Sequence, residues 1–214
     1  MKLFSALALA CLPLLAVESR AHALWAEPAE GGYKIFFGEP GEGMREKKEE
    51  FSKVGPVKVW DAAGKETKGS QGEDHIFVKA VPGGISVSAL DGPLHGEGGD
   101  ALRVFFYARS AEAGKKIAPA KAAALEILPE GKDSVSFTLF KGGKPFADGK
   151  LEMFAPGGWN RVFQADAQGK VKLETPWAGQ YVLEASYMDE TAGKVGDKPI
   201  KGTYHAATFS FLKK

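Results

Sequence analysis

The chain has one cysteine in 214 residues, Cys11, and it lies in the N-terminal apolar stretch. A lipid-anchor reading of Ala8-Leu9-Ala10-Cys11 competes with a plain signal peptide, but the apolar run continues past Cys11 and favours the latter. Once a leader is removed, no thiol is left, which excludes disulfides, thiolate catalysis and cysteine-based metal sites. No long apolar run follows. The only one, Leu3 to Val17, is shorter than the roughly 18–20 residues that span a bilayer. Charge of either sign is also not in excess: 28 Lys and Arg stand against 27 Asp and Glu. A nearly neutral surface argues against nucleic acid or an anionic membrane as partner, since both need clustered positive charge. The usual enzyme signatures are missing too, with no glycine-rich phosphate loop, nucleophile elbow or His-Glu-x-x-His helix. The many carboxylates are scattered among lysines in turns and read as solvated surface charge.

What is present begins with Lys2, the apolar run, a polar Glu18-Ser19-Arg20 and small residues at Ala21 and Ala23. This order is that of a cleavable secretory signal covering residues 1–21, so the protein is expected to be exported, and periplasmic in a Gram-negative host. The cut is open between two positions. Cleavage after Ala21 makes His22 the first residue; Ala21-His22-Ala23 is itself an Ala-x-Ala site, and cleavage after Ala23 would discard that histidine. Spacing favours the first.

The remaining 193 residues are rich in glycine and proline and divided into short apolar or alternating runs. Strands are expected at Tyr33–Phe37, Val57–Trp60, Ile76–Ala80, Ile85–Leu90, Leu102–Ala108, Val135–Phe140, Lys150–Phe154, Lys170–Glu174, Tyr181–Tyr187 and Tyr204–Phe211, separated by Gly83-Gly84, Asp91-Gly92-Pro93, Gly142-Gly143 and Pro156-Gly157-Gly158. Only Glu42–Lys53 reads as a helix, and its charge places it in a solvated loop. The expected class is all-β, with two β-sandwich domains of Ig-like type spanning 22–131 and 132–214. The Ala-, Lys- and Gly-rich Ser110–Lys121 and Pro129–Lys132 mark the joint.

In the second half, a strand, Gly143-Lys-Pro145, a strand, Asp166-Ala-Gln-Gly169, a strand and Gly179-Gln-Tyr181 follow in order. This stretch of about 75 residues resembles the carboxypeptidase-regulatory and transthyretin-like Ig modules. The resemblance implies a fold and says little about activity.

Four histidines remain as candidates for chemistry: His22, His75, His95 and His205. Imidazole is the commonest transition-metal ligand. At a chain start, His22 would offer both its ring Nδ1 and its α-amine to one ion, and an α-amine with a pKa of about 8 loses its proton readily to a metal. Two nitrogens from one residue plus another imidazole make an N3 set that Cu(II) and Ni(II) favour. His205 lies in the last strand on the face of Ala207, Phe209 and Phe211, near an open sandwich end; a buried, hydrogen-bonded core histidine is the competing reading. His95 sits in the loop Gly92–Gly99 and His75 just ahead of a strand, each a possible third ligand or plain surface. Glu39 could add an oxygen, whereas Met44, Met153 and Met188 are too dispersed for a thioether site.

The opening His22-Ala-Leu-Trp-Ala-Glu-Pro28, Gly31-Gly-Tyr-Lys-Ile-Phe-Phe-Gly-Glu39, Phe105-Phe-Tyr-Ala-Arg109 and Tyr204-His-Ala-Ala-Thr208 resemble a bacterial periplasmic family of unknown function, labelled as the periplasmic component of a cobalt/nickel ABC-type transport system. The resemblance covers nearly the whole exported chain. It implies a chain start at His22 and divalent-metal handling (nickel, cobalt or copper) without enzymatic activity, with an inner-membrane permease or outer-membrane receptor as partner. An N-terminal histidine on a β-sandwich is also a feature of copper-resistance CopC-type proteins and copper-dependent polysaccharide monooxygenases, though nothing beyond that residue matches either. The competing function is a metal-free sandwich that binds a protein or glycan through Trp25, Trp60, Trp159 and Trp177; third comes a copper-dependent oxidative enzyme of histidine-brace type, with His205 or His95 as the second brace histidine.

Overall fold

The computed structural model describes residues 22–90, 94–96, 101–111, 117, 120, 123–131 and 135–214. The expected signal peptide and the Asp91-Gly92-Pro93 turn lie outside them. Among the described residues, no helix is long and apolar enough to cross a membrane.

The protein is nearly all β, 59% strand and 6% helix, with several sheets and no barrel. Its centre is an eight-stranded sheet. In spatial order it holds β14 (Trp159–Gln164), β13 (Lys150–Ala155), β16 (Gly179–Asp189), β19 (Gly202–Lys213), β9 (Leu102–Ser110), β8 (Ile85–Leu90), β4 (Lys58–Asp61) and β5 (Glu66–Thr67). Neighbouring strands run antiparallel except for one pair. β9 and β19 are parallel, Gly202 opposite Leu102 through Ser210 opposite Ser110. That pair joins residues on either side of the boundary expected at 131/132, so one hydrogen-bonded sheet runs through both halves of the sequence.

Alternation along β9 and β19 sends side chains to two different cores. Tyr107, Ala207, Phe209 and Phe211 point to one face, where they meet Leu125, Ile127, Phe137, Leu139 and Val171. These come from a smaller sheet of β10 (Leu125–Pro129), β11 (Ser136–Lys141), β12 (Lys144–Pro145) and β15 (Lys170–Lys172). Val104, Phe106, Ala108 and Ala206 point the other way, onto Leu24, Ala26, Ile35, Phe37 and Val78. This second cover is a sheet of β1 (Ala23–Ala29), β2 (Gly32–Glu39), β7 (Ile76–Lys79) and β6 (Ser70–Gln71), with β3 (Met44–Arg45) on β2. The result is three layers with a core on each side of the middle one.

The second cover is attached by the edge of β1. The hydroxyl of Thr208 donates to the Leu24 carbonyl at 2.7 Å, and that of Ser210 to the Ala26 carbonyl. An edge strand leaves such carbonyls unpaired, and buried unpaired groups are costly. Two hydroxyls on the next layer solve that problem and fix the position of β1. A small third cluster of Trp25, Phe36 and Val182 fills the far side of this edge.

The helix expected over Glu42–Lys53 is one turn, α1 (Lys48–Phe51). Gly43 takes a left-handed φ of 66° and Met44 and Arg45 pair with β2, so the first half of that stretch is turn and strand. Nor is the segment wholly solvated, because Phe51 is buried in the second core.

Candidate functional site

The chain ahead of β1 carries His22. Register alone brings one carboxylate to it. Gly38 of β2 pairs with Ala23 of β1 on one side and with Arg45 of β3 on the other. A Cβ on Gly38, whose φ is 144°, would come within 2.4 Å of the Met44 carbonyl oxygen, so only glycine lets β3 lie this close. The Glu46 N–H then donates to the Phe37 carbonyl at 2.8 Å, which extends the pairing by one residue. The outcome is a contact between His22 Nε2 and Glu46 Oε1 of 2.7 Å, with the histidine ring 5.1 Å from that of Phe37. The His22 side chain is 38% exposed and Glu46 22%. The pair therefore sits at the rim of the second core, open to solvent.

This geometry has a chemical consequence. A carboxylate bonded to one ring nitrogen fixes the tautomer and turns the other nitrogen outward, as carboxylates behind metal-bound histidines do. With Nε2–H on Glu46, Nδ1 is the nitrogen on the side of the residue's own backbone nitrogen. The arrangement fits a two-nitrogen chelate from one residue. The other expected donors are not close by: among the described residues, no three His, Cys, Asp or Glu side chains gather as a ready metal cage.

His205 goes elsewhere. It is 7% exposed and lies on the opposite face of the central sheet from β1, in the first core, as its shared face with Ala207, Phe209 and Phe211 implies. Its ring stacks on Tyr187 at 4.8 Å, Phe105 at 5.6 Å and Tyr107 at 6.0 Å. Tyr107 accepts a hydrogen bond from the Ala124 backbone N–H, so its hydroxyl proton is directed to His205 Nδ1 at 3.1 Å. Burial holds the imidazole below its usual pKa; Asp189 works against this and Lys141 with it. The sheet itself separates His205 from His22, so the two do not share a site.

His75 is bonded through Nδ1 to its neighbour Asp74 at 2.6 Å, and that bond holds the Asp74 carboxyl below the usual carboxylate range. Its ring lies 5.8 Å from that of Phe36, whereas His22 lies against Phe37, on the other face of β2. His95 is exposed and makes a backbone bridge to Leu102. Glu39 pairs with Met44 across β2 and β3. The four histidines thus occupy four places.

The tryptophans are dispersed too. Trp25 is buried, and Trp60 is half-buried on β4. Trp159 and Trp177 meet edge to face at 5.4 Å, and Trp177 is 45% exposed. The buried Tyr181 hydroxyl accepts from the Trp177 N–H at 3.1 Å and donates to its carbonyl at 2.9 Å, so the backbone beneath this exposed ring is fixed.

Glu46 is the residue that sequence reading missed. It stands 24 positions from His22 within a segment read as helix, and only the turn at Gly43 brings it back. No family model matches the chain, and neither curated proteins nor solved structures gave a match.

Proposed function

We propose that this is an exported, non-enzymatic protein that binds a divalent transition metal (copper, nickel or cobalt) as cargo, with His22 as its anchor. The single observation carrying this reading is the 2.7 Å contact between His22 Nε2 and Glu46. It supports a ring held ready for coordination through Nδ1 together with an α-amine freed by cleavage after Ala21. Nitrogen donors of this kind hold Cu(II) more tightly than Ni(II) or Co(II) in the test tube, whichever metal is physiological. A periplasmic location and a permease or receptor partner belong to the same reading. The second half of the chain is read as a transthyretin-like Ig module. Two features support that: the Asp166 carboxylate accepts from the Gln168 and Lys170 N–H groups, and Tyr181 closes the turn at Trp177.

The test is titration with Cu(II) and Ni(II) of protein whose first residue has been fixed as His22 by intact mass. His22→Ala is expected to weaken binding at least 100-fold. Glu46→Gln is expected to weaken it about 10- to 100-fold, the usual cost of losing such a supporting carboxylate. Equal affinity in all three proteins, or an exported chain that starts at Leu24, would sink the proposal.

The second reading, a metal-free protein- or glycan-binding module, rests on the rigidly mounted, exposed Trp177 beside Trp159. Loss of binding to an immobilised polysaccharide on Trp177→Ala, with metal affinity absent, would favour it.

A further inference from the structure

The face of the central sheet that carries the first core extends beyond the smaller sheet that covers it. Past the edge of β10, the strands β9, β8 and β4 present Tyr107, Arg109, Ser88 and Trp60 to a cavity of about 400 Å³. Ala123, Leu125 and Glu126 form the facing wall. Pockets that enclose small molecules have volumes of roughly 300–1,000 Å³ and mostly apolar walls with a few fixed polar groups. This cavity fits both descriptions.

Two of its charged groups, Arg109 and Glu126, compensate one another. Arg109 is 7% exposed and Glu126 5%; the guanidinium donates through Nη1 to Glu126 Oε1 at 2.9 Å and through Nε to Ser86 Oγ at 3.0 Å. The Ala120 N–H also donates to Glu126 Oε1, at 2.8 Å. Burial lowers the arginine's affinity for its proton and raises that of the glutamate, while each opposes the effect in the other. At the cavity's other end, the Asp61 carboxylate accepts from the Ala63 and Lys65 N–H groups and closes its own turn. Among the described residues, the Arg109–Glu126 pair therefore offers no net charge to an occupant, and the only other lining charge is the Asp61 carboxylate, held in its own turn. What is offered is an indole, alanine and leucine walls, and the hydroxyl of Ser88.

We propose that the cavity between β4, β8, β9 and β10 binds an uncharged, mainly apolar small molecule carrying one hydroxyl or carbonyl group. Trp60 supplies a flat apolar surface, and Ser88 meets the polar end. A charged molecule would leave water for a wall whose Arg109 and Glu126 charges already satisfy each other, and an anion would also face the Asp61 carboxylate. This site is on the far side of the sheet from His22 and does not depend on metal.

The probe is N-phenyl-1-naphthylamine, which is neutral and apolar, compared with its anionic relative 1-anilinonaphthalene-8-sulfonate. Added to the purified protein, the neutral probe is expected to give a saturable one-to-one rise in fluorescence, with a Kd in the micromolar range, and to quench Trp60. The sulfonate is expected to bind at least tenfold more weakly. Ala123→Trp fills the cavity from its half-exposed wall, and is expected to lower affinity for the neutral probe at least tenfold with little change in the unfolding midpoint. Should that variant not fold, Ser88→Leu serves the same purpose. Absence of a saturable signal, or unchanged affinity in the filled variant, overturns the cavity as a binding site. Equal binding of the two probes overturns its preference for neutral ligands.

Discussion

The two faces of the central sheet treat the same residue type in opposite ways. On the face toward β10 and β11, His205 is enclosed by Phe105, Tyr107 and Tyr187, and its Nδ1 is taken up by a phenol. On the face toward β1 and β2, His22 stands at the rim, its Nε2 bonded to a half-exposed carboxylate. Both are histidines in or beside a strand of an antiparallel pair. One is held neutral by burial and packed as an aromatic; the other is oriented and left accessible. What separates a structural histidine from a candidate ligand here is the layer above it, not the strand it occupies.

Four variants would break or sharpen this contrast. The largest effect is expected from Phe209→Ala. Phe209 is 2% exposed and packs edge to face on Phe137 at 5.4 Å, so truncation should lower stability by about 3–5 kcal/mol. If the two faces are one cooperative unit through their shared sheet, urea unfolding will remain a single transition by both far-ultraviolet circular dichroism and tryptophan fluorescence. Two transitions would mean that the layers are independent. Thr208→Val comes next. It leaves the Leu24 carbonyl without its donor and should lower stability by about 1–3 kcal/mol, with faster amide exchange over Ala23–Ala29 than over β11. Uniform exchange would show that β1 is held by its pairing with β2 alone.

The third variant probes a carboxylate on the His22 side of the sheet. Glu184 has its pKa pushed up to about 8, chiefly by burial and secondarily by Glu152, which lies directly opposite on β13. The folded chain thus holds a proton that the unfolded chain releases near 4.5, and stability falls as pH rises between those values. Glu184→Gln removes the ionisation, so its thermal midpoint should gain on that of wild type from pH 4.5 to pH 8. A constant difference across that range would refute the assignment.

The smallest effect is expected at His205. Its folded pKa lies below the ordinary value, so its contribution is fully present above about pH 6.5 and declines as pH falls below it. His205→Phe keeps the ring stack and should lose this acid sensitivity while leaving metal affinity unchanged. A drop in metal affinity would erase the distinction between the two faces.

Much of the strand pattern was legible in the sequence, because alternation and glycine turns report directly on a half-buried sheet. Ile85–Leu90 coincides with its observed limits, and Gly83-Gly84 and Gly142-Gly143 are turns with positive φ. Three longer strands escaped notice, each for its own physical reason. β14 is an edge strand whose inner residues Trp159 and Phe163 are interrupted by Arg161, while Val162 on the outer face is 58% exposed. β1 contains Glu27 and Pro28, and buries Leu24 and Ala26 on one face and Trp25 on the other, which leaves no alternation to read. β10 follows an Ala- and Lys-rich stretch that reads as a joint. At the candidate site, His22 was visible from its place after Ala21, but Glu46 was not. Its proximity depends on Gly43 reversing the chain and Gly38 admitting the returning strand, and charge patterning carries neither signal.

The parallel pairing of β9 with β19 has a bearing on how the chain comes together. Residues 102–110 find their partners only at 202–210, and β1 is anchored to Thr208 and Ser210 from 184 positions away. Contacts of such long sequence separation form late, after the loop-closure entropy has been met. Neither core can be sealed until the final strand arrives, so a chain growing from its N-terminus stays open along nearly its whole length during synthesis. β19 thus acts as the catch that closes both cores at once.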